Sequence, residues 1–304
     1  MENNPMVSVI IPVYNGAQFL SETVDSILNQ SMIDFELILI NDGSTDESPQ
    51  LVESYDDDRI RVVHQENMGL IGTLNKGISL AKADIIARLD QDDISKPNRL
   101  KHQLKAMKEY ELDVVYTQIE KFGAKNSWDN RERQKEKIGE VSIMEPLAYG
   151  CQVNSTMMAK KSVLQKMKYR AEYYPCDDWD LQLRMEPLYR VGILQEKLIR
   201  YRFHDAANTY STFFMMQEKT RWCENNALLR LDGKPELTLE EYKKSQTSRY
   251  KKWNRRRKDL YRYHFRMGGD RYLQGDYPKM MRHMMTAIVL APEKIWQRVA
   301  GPIK

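Results

Sequence analysis

The feature that most constrains this chain is a repeated switch between two hydrophobic periods in its N-terminal third. Val7 to Val13 (VSVIIPV), Phe35 to Ile40, Ile60 to His64 and Ile85 to Leu89 are short, β-rich runs with few polar residues. Runs of this kind suit strands that are covered on both faces. Between the first two, Phe19, Leu20, Thr23, Val24, Ile27 and Leu28 recur at helical spacing, and "ENMGLIGTLNKGISLAKA" keeps that rhythm from about Leu70. Strands alternating with helices through short links predict an α/β class: a doubly wound, mainly parallel sheet flanked by helices. A further strand is expected over residues 112–122.

In such sheets ligands bind beyond the carboxyl ends of the strands. Those ends here carry Tyr14-Asn15, Asn41-Asp42 and, in "DIIARLDQDDISKPNRL", the carboxylates Asp90, Asp92 and Asp93. Like charges this close repel by about 4 kcal/mol per pair at an effective dielectric near 20. Two readings stand. The aspartates hold a divalent cation, magnesium or manganese, which accepts one or two carboxylates and completes its shell with water and phosphate oxygens. Alternatively they form an Asp-rich turn that caps a helix beginning near Lys96-Pro97. "NDGSTD" is similarly divided: Asp42 accepts hydrogen bonds from a base or ribose hydroxyl, or the segment is a turn and a cap.

A second acidic cluster, Asp177, Asp178 and Asp180, lies in "CDDWDLQLRM". A carboxylate at the mouth of a crevice can take a proton from an attacking hydroxyl. One cap does not need three aspartates, so Asp178 is the base candidate and Asp180 the structural residue. His204 in "RYRFHDAANTYS" is either a packed or surface residue or a phosphate or metal contact.

The bulk numbers bound the setting. With 304 residues, 41% hydrophobic and 30% charged, the chain is long enough for a large α/β domain and an appendage. The three cysteines, Cys151, Cys176 and Cys223, show neither disulfide nor zinc spacing, so core thiols in a reducing compartment are expected. "MENNPMVSVIIPVYN" reads as a first strand and not a signal peptide. No run reaches the roughly 18 apolar residues of a membrane span. A cytoplasmic protein is expected, peripheral on the inner membrane's cytoplasmic face if it touches a membrane.

The polar stretch 123–140 reads as a mobile loop that orders over a ligand. The division expected is a first domain over 1–212 and a basic, mostly helical extension over 213–304. In the extension, residues 249–266 mix Lys and Arg with Trp253, Tyr261, Tyr263 and Phe265. This suits an anionic membrane surface or a solvated face whose aromatics pack inward; nucleic acid is not expected. Residues 272–296 look like two helices around Ala291-Pro292, a packing or partner-binding element.

Taken in order, "VSVIIPVYNGAQFLSETVDSILNQS", "FELILINDGSTDES", "NMGLIGTLNKGI", "ARLDQDDISKPNRLKHQ" and "DDWDLQLR" resemble glycosyltransferase family 2, over roughly residues 6–205. The resemblance implies a GT-A fold, a nucleoside-diphosphate sugar donor (UDP above others), a divalent cation (Mn2+ or Mg2+) and inversion at the anomeric carbon. It implies that Pro12, Tyr14, Asp42, Asn67, Arg88, Asp90 and Asp92 bind the donor. Asp90 and Asp92 form the Asp-x-Asp motif, with Asp92 nearest the metal. Arg99 and Gln103 match positions framing that motif, and Asp178 takes the base position. Two departures stand out: the family's Glu-Asp pair is Asp177-Asp178 here, and Gly72-Thr73-Leu74-Asn75 offers no phosphate-contacting arginine. The expected acceptor is a glycan or lipid-linked hydroxyl in bacterial surface polysaccharide assembly. The rival readings are a sugar nucleotidyltransferase, whose Gly-rich phosphate loop "PVYNGAQFL" lacks, and a non-catalytic glycan-binding protein on the same scaffold.

Overall fold

In a computed structural model of the chain, residues 4–123, 127–128, 137–204 and 212–292 are described. The chain separates into two units, Met1–Glu120 with Asp129–Arg202 and Lys121–Trp128 with Phe203–Lys304. The strands are β1 (Val7–Val13), β2 (Phe35–Asp42), β3 (Ile60–Gln65), β4 (Ile85–Arg88), β5 (Ile94–Ser95), β6 (Val114–Phe122), β7 (Ser127–Trp128), β8 (Val141–Ile143), β9 (Met158–Lys160) and β10 (Val191–Arg202). The first unit adds helices α1 (Ala17–Leu28), α2 (Ser48–Glu53), α3 (Gly69–Leu80), α4 (Arg99–Glu109), α5 (Lys161–Met167) and α6 (Asp177–Met185).

The sheet runs β3-β2-β1-β4-β9-β6-β10-β5, with β8 on β10. β1 is parallel to both β2 and β4, and β3 is parallel to β2. β9 pairs antiparallel with β4 and β6, and β10 antiparallel with β5 and β8. The four parallel strands are the ones that the apolar runs predict. The register Val13↔Asn41 sets the ends of β1 and β2 side by side, and Ile10↔Arg88 aligns β4 with them.

Burial on both faces explains the uninterrupted apolar runs. Every residue of β1 and β2 is buried. Val7, Val9, Ile11 and Val13 pack with Leu20, Val24 and Ile27 of α1 and Leu100 of α4. Ile10, on the opposite face, packs with Ile71, Leu74 and Ile78 of α3. Each such side chain contributes about 1.5–3 kcal/mol on burial. The polar exception in β1, Ser8, is satisfied: its hydroxyl donates to Glu36 Oε1 at 2.5 Å and accepts from the Ala83 amide at 3.0 Å.

The second unit, taken alone, contains α7 (Phe213–Leu231), α8 (Leu239–Ser245), α9 (Arg249–Leu273) and α10 (Tyr277–Leu290). The short β7 pairs with the last residues of β6. A capping box starts α8: Thr238 accepts from the Glu241 amide while Glu241 accepts from the Thr238 amide. Gly275, at φ +75°, turns α9 into α10. Of the aromatics interleaved with the basic run, Tyr261 and Phe265 pack with Ala287 and Leu290 of α10. Tyr263 stacks on Phe214 and meets the edge of Phe213. These three therefore turn inward, and Trp253 is exposed.

The cysteine expectation needs one correction. Cys176 and Cys223 are buried, but Cys151 is exposed. Cys151 follows the loop residue Gly150 and lies outside any helix or strand. Most of the stretch 123–140 falls outside the described residues. Among the described residues no helix is long and apolar enough to cross a membrane.

Candidate active site

The turn after β4 is pinned at each of its four residues. The Asp90 amide donates to Ser155 Oγ at 3.2 Å, and the Thr23 hydroxyl donates to the Gln91 carbonyl at 2.9 Å. Arg202, the last residue of β10, donates from Nε to the Asp92 carbonyl at 2.8 Å and from its amide to Asp93 Oδ1 at 3.0 Å. The helix-cap reading of these aspartates fails. α4 begins at Arg99, its N-cap is Asn98, and no side chain caps it.

Crowding among the carboxylates is relieved in two ways that do not need solvent. Buried Arg88 pairs with Asp90 at 2.9 Å. Asp93 is 1% exposed, and burial, reinforced by Asp92 and Asp90, holds its carboxyl well above the usual range. Its Oδ2 is buried without a hydrogen-bond partner. Asp90 and Asp92 stay half-buried at the rim. Behind them Arg99 is fully buried and donates to the Arg88 carbonyl at 2.7 Å and to Gln103 at 2.9 Å. Burial lowers its pKa to about 9, against the pull of Asp93 and Asp90. Gln103 in turn donates to the carbonyls of Thr156 at 2.8 Å and Val115 at 3.2 Å. Arg99 and Gln103 thus act as buried braces for the strand end.

The other strand ends join this turn through side chains. Gln91 clasps the backbone of Tyr14: its Oε1 accepts from the Tyr14 amide at 2.8 Å and its Nε2 donates to the Tyr14 carbonyl at 3.0 Å. A Cβ at position 16 would lie 2.2 Å from Gln91 Oε1, so a larger residue there would displace the Gln91 side chain from this clasp. Tyr14 is exposed at the loop, whereas Pro12 is buried inside β1. Asp42 ends β2, with Oδ1 accepting from Gln65 Nε2 and from the Met68 amide, each at 2.7 Å. Gly43, at φ +70°, lets that turn approach Asn67, whose amide would be 2.9 Å from an added Cβ. Tyr14, Asp42, Asn67 and Asp90 to Asp92 therefore share one edge of the sheet.

The second acidic cluster opens α6, and its three aspartates have separate environments. Asp180 is buried and bridges Arg170 and Arg184, the latter at 2.9 Å, which makes it a structural brace. Asp177 is 4% exposed; burial, then repulsion from Asp178, raises its pKa to about 7. Asp178 is less enclosed and is also raised by burial, opposed by a 2.7 Å hydrogen bond from the Trp179 amide and by Arg88. Arg88 is the link between the clusters. Burial opposes its charge, yet Asp90, Tyr169 and Asp177 together hold its pKa above the ordinary value. Its Nη1 donates to the Tyr169 hydroxyl at 3.3 Å, and Asn75 fixes the Tyr169 backbone with two 3.0 Å hydrogen bonds.

Sequence reasoning singled out Arg88, Arg99 and Gln103 but missed Gln91, Ser155, Thr23 and Arg202. Gln91 carried a usable signal, since it sits between the two motif aspartates. His204 belongs to the second unit and is half-buried there.

Among the described residues, no three His, Cys, Asp or Glu side chains form a complete protein cage for a metal. The donor set nevertheless fits magnesium or manganese. Two hard carboxylates on one rim are what such ions take from a protein when phosphate oxygens and water supply the rest.

Comparison with known proteins matches this edge. The profile of Glycosyl transferase family 2 covers residues 8–167. An uncharacterised glycosyltransferase of Rickettsia typhi is 32% identical over 227 residues, 71% of this chain and 69% of that protein. The O-antigen biosynthesis glycosyltransferase WbnJ of Escherichia coli is 32% identical over 212 residues, 68% of this chain and 83% of WbnJ. In structure, the S. aureus TarS fragment 1–349 in complex with UDP-GlcNAc superposes with a TM-score of 0.57 at 14% identity, over 98% of this chain and 93% of the fragment. That likeness shows the GT-A architecture. With its strand-end acidic edge and a family profile spanning more than half its length, the chain belongs to glycosyltransferase family 2.

Proposed function

We propose that this glycosyltransferase transfers a sugar, with inversion, from a UDP-sugar to a hydroxyl of a glycan or lipid-linked acceptor in bacterial surface polysaccharide assembly. The observation that carries the reading is the meeting of two unlike acidic clusters across Arg88. Asp90 and Asp92 form a fixed rim, and Asp177-Asp178 form a buried pair with raised pKa. TarS, whose structures hold UDP and UDP-GlcNAc, and WbnJ, named for O-antigen biosynthesis, support the donor and the setting.

In this reading Asp42, Asn67 and Tyr14 hold the nucleoside at the ends of β1 to β3, and Pro12 shapes β1 beneath them. Asp90 and Asp92 would hold the divalent cation. When bound, the cation supplies Lewis-acid neutralisation of the diphosphate. Arg88 orients Asp90 through their ion pair, and its charge steadies the neighbouring pair. Asp178 accepts the proton of the acceptor hydroxyl, whose oxygen attacks the anomeric carbon from the side opposite the diphosphate. One displacement inverts the centre. Burial of the pair matters because a base is most effective when its pKa lies near the working pH.

The test is a panel of nucleotide sugars incubated with manganese, with nucleoside diphosphate and sugar released as the readout. UDP formation from one UDP-sugar, stopped by chelator, is expected. Inorganic diphosphate as the product would support a nucleotidyltransferase instead, and binding without turnover of any donor would support a glycan-binding scaffold.

A further inference from the structure

The second unit carries an apolar surface that its own packing does not use. On α10, Ala287 is fully buried and Leu290 packs with Tyr261 and Phe265 of α9. Gly268 of α9 gives room to Met284, whose sulfur would be 2.7 Å from an added Cβ. This face supplies the contacts the helix needs. On the other side Tyr277, Met281, Met285, Ile288 and Val289 are all exposed, Met285 at 56% and Val289 at 78%. At 100° per residue these five fall within an arc of about 120°. A surface helix ordinarily turns polar residues that way, and exposed apolar patches of this kind mark interaction sites.

The charge around the arc says which partner fits. Residues 249–290 contain twelve Lys and Arg against three Asp and no Glu, so this segment is far more basic than the chain's net +4. Two of the three aspartates, Asp259 and Asp270, are buried, and Asp259 is paired with Arg221 at 3.0 Å. Arg282 and Lys279, the latter paired with Asp276 at 2.9 Å, are exposed on α10, and Lys252, Arg256 and Lys258 are exposed on α9 near Trp253 in sequence. α10 itself has no acidic residue. A second copy docked face to face would set these cations against their own kind. Nucleic acid would meet Met, Ile and Val where its phosphates need cations. An anionic bilayer surface offers both partners, since its acyl boundary accepts the apolar arc and its headgroups accept Lys and Arg.

We propose that the exposed face of α10, with Tyr277, Met281, Met285, Ile288 and Val289 inserted and Lys279 and Arg282 at the headgroups, docks this protein on anionic lipid. The surface differs from the one expected over 249–266, whose tyrosines and phenylalanine pack inward. The proposal does not depend on the donor reading.

The test is sedimentation of the full chain with vesicles of phosphatidylcholine alone or mixed with phosphatidylglycerol. Retention is expected on the anionic vesicles and not on the neutral ones. Because Met285 and Val289 are exposed, the variant M285E/V289E should fold, which a thermal melt checks. Its retention should fall about tenfold or more. A second variant, K279Q/R282Q, should lose anionic selectivity while keeping its melt. Equal retention of wild type and M285E/V289E overturns the proposal, as does indifference to phosphatidylglycerol. A dimer in light scattering that M285E/V289E dissolves would assign the face to a second copy. Binding of single-stranded RNA that survives in M285E/V289E and fails in K279Q/R282Q, with no vesicle retention, would assign it to nucleic acid.

Discussion

The two acidic clusters of the site have similar composition and opposite construction. The Asp90 to Asp93 turn is fixed at every residue by groups from Thr23, Ser155 and Arg202, and Arg88 and Arg99 lie behind it. Its charge is managed by the Arg88–Asp90 pair and by burial that raises the Asp93 pKa. The Asp177-Asp178 pair sits in the first turn of a nine-residue helix, where the helix N-terminus favours carboxylates but burial opposes their charge. Fixed charge suits binding, because a held cation and diphosphate need a rim that does not move. A raised pKa suits proton transfer, because a carboxylate that gives up its proton only near neutrality can take one back. The comparison teaches that burial decides the role of an aspartate more than its neighbours in sequence do.

The sharpest way to break this contrast is D178N. The amide keeps shape and hydrogen bonding but cannot accept the proton, so transfer should fall about 10³-fold while donor affinity stays within about twofold. Steady-state kinetics together with donor titration checks it. Full activity in that variant would remove Asp178 from the base role. D177N should retain more activity, which separates the two members of the pair.

A pH profile sharpens the same contrast. The base works ionised, and burial raises the Asp178 pKa, so the acid limb of kcat/KM should lie above the usual carboxylate range, with activity falling about tenfold per unit below it. The stability sign is opposite. A carboxyl whose pKa is higher in the folded state binds more protons there, so stability is present at low pH and is lost as pH rises from about 4 to 7. D177N should therefore melt higher than wild type at pH 8 and show a flatter dependence of Tm on pH. An acid limb near 4 would mean that the pair is not perturbed and that the contrast is wrong.

The smallest effect is expected for Q91A. Removing two partly solvated hydrogen bonds to Tyr14 frees the β1–α1 loop from the acidic turn, and donor affinity should fall about three- to tenfold with kcat little changed. Calorimetry of the nucleotide checks it. Loss of kcat at constant affinity would place Gln91 in the chemistry instead.

The parallel half of the sheet was legible because β1, β2 and β4 are buried on both faces, and such burial leaves apolar runs in the sequence. The convergence of Asp42, Asp90 and Asp92 followed from topology, since parallel neighbours end at one edge. What sequence could not show was the partnership of distant residues. Ser155 reaches Asp90 across 65 positions and Arg202 reaches Asp92 across 110, and neither contact has a local pattern. The raised pKa of Asp93 was equally hidden, because it depends on complete burial. The sequence pattern of α10 predicts a helix without visible chemistry, hence a packing or partner-binding element. Periodicity alone does not say that Met285 and Val289 face out while Ala287 faces in.

One binding experiment reaches the centre of the account. Titration calorimetry of UDP into the wild-type chain with manganese should show binding that chelator abolishes, and that is lost to the same extent in the D90N/D92N double variant. Equal binding with and without chelator, preserved in D90N/D92N, would contradict it.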